Sequence, residues 1–140
     1  MIKLSKNPFN PYQELAKWTK IQENGKYGAC CNFIGTMRDF NLSDNVTHMS
    51  LQHYDKMTIK QLENITKICQ DKFKIIDSLM IHRIGDIEPN DTIVLIATIS
   101  AHRDEAFKSC RFLIEELKHK ATFWKQETLK NTQKRWVLGN

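Results

Sequence analysis

An α+β fold built on a mainly antiparallel sheet is what this 140-residue chain predicts, and three observations carry the prediction. Apolar periodicities follow the order α-β-β-α-β-β-α, so strands arrive in adjacent pairs instead of the strict βαβ alternation of a parallel sheet. Two segments, Asp55 to Lys74 and Asp104 to about Lys120, repeat apolar residues at spacings of three and four, which is one face of a helix. Between them, Thr92 to Ser100 reads TIVLIATIS, the most apolar stretch of the chain and a central strand. There is no internal repeat and no low-complexity linker, and the length suits one domain over residues 1–140.

Each element has its own signal. Asn10-Pro11 ahead of YQELAKWTKIQENG predicts a helix capped by Asn10, with Pro11 at its first position and Gly25 as its stop. Leu15, Trp18 and Ile21 form its inward stripe. Tyr27 to Gly35, YGACCNFIG, is short, apolar and bounded by glycine, as a strand should be. Residues 36 to 45, TMRDFNLSDN, are polar and rich in turn formers, and read as a loop. Val46 to Tyr54 is a second strand, with Met49 and Leu51 on one face. The helix from Asp55 turns Leu62, Ile65, Cys69 and Phe73 inward. Residues 75 to 84 form a strand, and Glu88-Pro89-Asn90-Asp91 places proline where a type I turn prefers it. After the central strand, the last helix directs Phe107, Cys110, Leu113, Ile114 and Leu117 inward. Thr122 and Phe123 are poorer helix formers than Leu or Glu, so this helix ends near them.

Composition narrows the setting. The apolar fraction of 41% and charged fraction of 26% are those of ordinary soluble domains. No apolar run approaches the ~20 residues of a membrane helix, and MIKLSKNPFNPYQ lacks the apolar segment of a signal peptide, so a cytoplasmic location is expected. Four cysteines without ligand spacing fit a reducing compartment, where they serve as small apolar residues. The formal charge of +5 is concentrated in one place. From Lys118 to Arg135 six basic residues face Glu127 alone, and the rest of the chain carries fifteen of each sign. One basic region points to an anionic ligand.

Familiar catalytic sets are missing: there is no G-x-S-x-G elbow, phosphate-binding glycine loop or H-E-x-x-H pair. Cys30 and Cys31 are adjacent, so on a strand they point to opposite faces. Cys69 and Cys110 fall on inward helical stripes. A structural role fits all four, with Cys31 left open as a nucleophile. The histidines at 48, 53, 82, 102 and 119 show no ligand spacing, and no metal site is expected. What remains are cations at element boundaries. Arg38 follows the first strand, and His102-Arg103 sit at the N-terminus of the last helix, where free N–H groups and the dipole favour an anion. The alternative there is a cap by Ser100 or Asp104 with Arg103 solvated. Lys118 and Lys125 are seven apart and flank Phe123-Trp124. Apolar surroundings ease loss of a lysine's proton and suit it to act as base or nucleophile. The alternative is a lysine whose stem lies on the aromatics and whose head stays in water.

Five ordered stretches, FIGTMRDFN (33–41), LQHYDKMT (51–58), IHRIGDIEPND (81–91), ISAHRDEAF (99–107) and LKHKATFWKQE (117–127), with Arg135-Trp136 closing, together resemble the large, catalytic subunits of molybdopterin synthase. The resemblance runs from about Gly28 to Trp136. It implies an α/β-hammerhead-like α+β fold and a sulfurtransferase that needs no cofactor of its own. Its sulfur donor would be a small ubiquitin-like subunit ending in a Gly-Gly thiocarboxylate, and its substrate cyclic pyranopterin monophosphate. Two sulfurs would be added to form the molybdopterin dithiolene. The assembly would be a homodimer of large subunits within a heterotetramer, without nucleic acid or membrane. By resemblance Lys118 would sit at the tip of the donor tail and Lys125 would stabilise charge or move protons at the pterin. Arg38, His102 and Arg103 would bind phosphate or pterin oxygens, and Thr36, Met37, Gln126 and Glu127 would contribute to the lining.

The chain departs from the family pattern in two places. Thr36 stands where relatives often carry lysine, removing one cation, and Gln52 replaces an expected glutamate. Two other classes compete with the enzyme. A basic nucleic-acid-binding module would use Phe123 and Trp124 to stack bases, and would leave Arg38 and His102-Arg103 without a role. A non-catalytic relative would bind the small subunit without activity, and the joint presence of Lys118, Lys125 and Arg38 argues against it.

Overall fold

The computed structural model describes residues 1–121 and 123–137. Twelve elements follow in chain order: β1 (Ile2–Ser5), α1 (Pro11–Lys20), β2 (Ala29–Thr36), β3 (Phe40–Asn41), β4 (Asp44–His53), α2 (Asp55–Lys72), β5 (Ile75–Arg83), β6 (Gly85–Ile87), β7 (Thr92–Ser100), α3 (Arg103–Lys120), β8 (Phe123–Leu129) and β9 (Lys134–Val137). The class is α+β as predicted, but the strands form two sheets where the sequence suggested one. The first has the order β1-β5-β7-β2, antiparallel except for the parallel β1–β5 pair. The second has the order β3-β4-β8-β9, with β6 also paired to β4.

The first sheet is buried on both faces, which explains why β7 reads as a continuous apolar run. Met80, Val94 and Ile96 meet Leu62, Ile65 and Cys69 of α2 and Cys110, Leu113, Ile114 and Leu117 of α3. On the opposite face Leu79, Ile81, Leu95, Ala97 and Ile99 pack against Trp18 of α1. The indole of Trp18 donates to Asp77 Oδ2 at 3.1 Å, so the apolar ring is buried without orphaning its N–H. Asn10 caps α1 as expected, its side chain accepting from the backbone N–H groups of Tyr12 and Gln13. A third core of Met37, Val46, Met49, Leu51 and Ile87 lies under the second sheet.

Several expectations are corrected. Helix α1 ends at Lys20, a turn before Gly25, and Ile21 is exposed. Phe107 is 64% exposed, and Ala106 takes the inward place in that turn of α3. The 36–45 loop contains a hairpin, β3–β4, turned through Leu42 and Ser43 with φ of 50° and 69°. Those angles are normally supplied by Asn-Gly, so Leu42-Ser43 carries no cue to a turn. The Glu88–Asp91 turn is closed by a 3.0 Å bond from the Asp91 N–H to the Glu88 carbonyl, but Asn90 has φ 74°, which makes it type II. Strands β1, β6, β8 and β9 were not foreseen. Helix α3 does end at Lys120; Thr122 lies outside the described residues. Among the described residues no helix is long and apolar enough to cross a membrane.

Gly28 tests the pairing of β2 with β7. A Cβ there would stand 2.5 Å from the Ala101 carbonyl oxygen, a backbone atom that cannot swing aside. Gly28→Ala is expected to cost roughly 1–3 kcal/mol through forced backbone displacement, read as a lower urea midpoint at unchanged m-value.

Candidate functional site

The chain turns back on itself where α3 gives way to β8, and there the two sheets and the helix end enclose a cavity of about 440 Å³. From one side come Thr36, the last residue of β2, and Met37 and Arg38 just past it; from the helix comes Lys118; from β8 come Phe123, Lys125 and Glu127; from β5 comes His82. Six of the nine residues singled out in the sequence therefore converge: Thr36, Met37, Arg38, Lys118, Lys125 and Glu127.

The remaining three do not share this cavity. Gln126 alternates to the other face of β8, between Ser50 and Trp136 in the sheet register. His102 and Arg103 lie at the opposite end of α3 from Lys118, about 22 Å away at 1.5 Å per residue. Neither alternative cap operates there. No side chain caps α3; the Ser100 hydroxyl donates to the His102 carbonyl at 2.5 Å, and Asp104 pairs with Lys108 at 2.8 Å.

The lysines reach the site by different routes. Lys118 is in the last turn of α3, where the helix dipole favours a cation. Lys125 is placed by strand alternation: Phe123, Lys125 and Glu127 share the cavity-facing side of β8, and Trp124 goes to the other. Trp124 is thus 41% exposed, edge-on to Tyr54 at 5.1 Å, and only Phe123 of the aromatic pair lines the cavity. Burial pushes the Lys125 ammonium below its ordinary pKa, the neighbouring charge of Lys118 pushes the same way, and Glu127 opposes them. The Glu127 carboxylate is itself engaged elsewhere: it is 3% exposed, Oε1 accepts from Asn41 Nδ2 at 2.8 Å, and Oε2 accepts from Arg135 Nε at 3.0 Å. Arg135 also binds Asp44 Oδ2 at 2.7 Å and the Asn41 carbonyl at 2.9 Å, tying β3, β8 and β9 together.

His82 is the site residue that sequence reasoning missed. It is buried, donates through Nδ1 to the Arg83 carbonyl at 2.7 Å, and stacks on Phe123 with ring centroids 4.0 Å apart and 12° between planes. Burial lowers its pKa to about 4; the Arg83 bond resists, and the charges of Lys125 and His53 add to the lowering. Its only signal in the sequence was membership of the IHRIGDIEPND stretch. No cysteine lines the cavity. Cys31 packs against the helical core, and burial pushes Cys69 up to about 11 and Cys110 higher still. Chemically, the site offers three cations, one of them with its pKa lowered by burial, and no thiolate.

Comparison with known proteins gives one consistent result. The family model described as MoaE protein matches residues 4–120. A molybdopterin synthase catalytic subunit of Ralstonia nicotianae is 46% identical over 110 residues, 79% of this chain and 62% of that protein, so the chain spans under two thirds of that relative's length. One from Vibrio cholerae is 38% identical over 136 residues, 97% of this chain and 88% of the relative. The solved MoaE protein of Burkholderia ambifaria superposes with a TM-score of 0.81 at 39% identity, covering 98% of this chain and 88% of that one.

The neutral His82 makes stability pH-dependent. The unfolded imidazole titrates near 6.5 and the folded one near 4, so between those values the unfolded state binds the extra proton. Stability is therefore expected to fall as pH drops below about 6.5, with the loss complete near pH 4 and totalling roughly 3 kcal/mol from this group. Urea midpoints across that range check it, and His82→Gln should fall less steeply than the wild type.

Proposed function

The chain belongs to the MoaE family, and from that premise we propose that it is the catalytic subunit of a molybdopterin synthase, a sulfurtransferase acting on cyclic pyranopterin monophosphate. The observation that carries this reading is the convergence of Arg38, Lys118 and Lys125, from two distant stretches of sequence and three structural segments, on one cavity that holds no cysteine. Such a site supplies positive charge and proton traffic while the sulfur comes from elsewhere. A catalytic subunit implies a counterpart, here a small ubiquitin-like subunit whose C-terminal thiocarboxylate enters the cavity.

The chemistry then follows from charge. The thiocarboxylate sulfur attacks a pterin side-chain carbon and a C–O bond at that carbon breaks, its oxygen leaving on the phosphate or, once protonated, as water. A further water then cleaves the acyl–sulfur bond, leaving a thiolate on the pterin and a carboxylate on the tail. The Lys118 ammonium polarises the tail's carbonyl as charge develops on its oxygen. Lys125, held below its usual pKa, exchanges protons with the substrate more readily than a solvated lysine would. Arg38 lies over the Phe40 ring at 5.0 Å, at the rim of the cavity, in position to receive an anionic group.

His102 and Arg103 fit this reading if a second copy of the chain presents its α3 N-terminus to the cavity, which agrees with a homodimer at the centre of a heterotetramer. The nucleic-acid alternative fares worse. Lys118 and Lys125 turn into a cavity, Arg135 is held by Asp44 and Glu127, and Lys120 pairs with Glu116 at 2.5 Å, so the basic region forms no continuous track.

Reconstitution with thiocarboxylated small subunit and cyclic pyranopterin monophosphate should yield molybdopterin. Lys118→Ala should lose about 10²–10³-fold in rate, as for removal of one charge-stabilising donor. Product from neither chain, with small-subunit binding intact, would identify a non-catalytic relative. The trans contribution has its own test. Lys118→Ala and Arg103→Ala chains, each weak alone, should recover activity when refolded as a mixture; no recovery would exclude Arg103 from a neighbour's site.

A further inference from the structure

The cavity contains a neutral hydrogen-bond acceptor beside its cations, and this sets what kind of molecule fits. A carbonyl oxygen can only accept, so the 2.7 Å contact between His82 Nδ1 and the Arg83 carbonyl places the ring proton on Nδ1. A neutral imidazole carries one N–H, which leaves Nε2 as a bare lone pair on the far edge of the ring. The stack on Phe123 fixes the ring plane, and Lys125, two residues along the same face of β8, stands next to it. Among the described residues no hydrogen bond reaches Nε2, and Lys125 does not form one to it. The carboxylate that lines the same cavity, Glu127, has both oxygens engaged by Asn41 and Arg135. An acceptor nine-tenths buried, preset in its tautomer and facing a cavity is suited to receive a hydrogen from a ligand.

We propose that His82 is a substrate-binding residue whose Nε2 accepts a hydrogen bond from an N–H or O–H of the substrate's ring system. The substrate's anionic groups turn toward Arg38 and the two lysines. The inference rests on the pyranopterin reading, since such a molecule carries ring and amino N–H groups together with a phosphate. It makes the pocket selective: a simple phosphate ester can satisfy the cations, but only a molecule with a donor at the right remove from its anion satisfies His82 as well.

The experiment compares His82→Phe, which keeps the ring and its stack but removes the lone pair, with His82→Gln, whose amide oxygen can reach the place of Nε2. In the reconstituted complex His82→Phe should raise KM for cyclic pyranopterin monophosphate about tenfold or more. Its kcat at saturation should change less and its small-subunit affinity should stay constant, and His82→Gln should bring KM back toward wild type. A folded His82→Phe with KM within twofold of wild type overturns the proposal. A second measurement needs no variant: in the wild-type complex the ¹⁵N resonance of His82 Nε2 should move when the pyranopterin saturates the site. A stationary resonance at saturation overturns the role of His82 alone. A wild-type complex that binds no pyranopterin overturns the functional reading and this inference with it.

Discussion

Two ammonium groups, Lys118 and Lys125, share a partly buried cavity with no free carboxylate between them, and much of the second sheet's construction follows from that constraint. Like charges in a half-dry space repel, and burial disfavours the charged form of Lys125. The obvious remedy, a neighbouring acid, would neutralise the site for any anionic ligand. Glu127 is that acid, two residues from Lys125 on the same strand face, yet its oxygens are bound by Asn41 and Arg135. The hairpin β8–β9 exists in part to bring Arg135 back to that carboxylate, and β3 presents Asn41 to the same oxygen pair. The cavity stays positive because its one acid has a different counter-ion.

The rest of the fold supplies the rigidity this arrangement needs. Strands β5 and β7 are apolar on both faces and clamped between α1 on one side and α2 with α3 on the other. Helix α3 is thereby fixed along its length, so Lys118 at its end is positioned by core packing far from the cavity. Strand β5 carries His82 to the same place from the opposite direction. Its neighbour Arg83 is also buried, donating to the Asp86 carbonyl at 2.7 Å and lying 3.5 Å from Asp91, which braces the turn beside Met37. Cations, acceptor and cavity wall thus hang from one sheet buried on both faces, where small displacements are resisted by close packing.

How far this was legible in the sequence depended on whether an element's inward residues were apolar. Strand β7, helix α2 and the Asn10 cap announced themselves because burial and backbone chemistry leave direct marks: continuous hydrophobicity, a 3-4 spacing, an Asn-Pro start. Strand β8 left no such mark. Its inward positions are Phe123, Lys125, Glu127 and Leu129, and the two charged ones are there for the cavity, so the period of two was disguised by function. The β3–β4 hairpin was hidden differently, by Leu42 and Ser43 occupying angles that usually call for glycine or asparagine. Of the site, the cations were readable from charge and from family resemblance. His82 was not, because what matters about it is a tautomer set by a backbone carbonyl and a ring stack between distant strands.

The crowding of lysines around Phe123-Trp124 now has a physical account, and it is a division by alternation. A helix continuing through this stretch would have set Lys118 and Lys125 on one stripe, two turns apart. The break after Lys120 instead swings the chain into a strand, which faces Lys125 back toward Lys118 across an enclosed space and sends the adjacent aromatics to opposite sides. Phe123 goes inward, where its ring both lowers the polarity around Lys125 and holds His82 flat. Trp124 goes outward to Tyr54. One covalent sequence therefore builds a wall of the cavity and a patch of outer surface at once. The same break that hid β8 from a helical reading is what lets two lysines, seven residues apart, converge on one ligand.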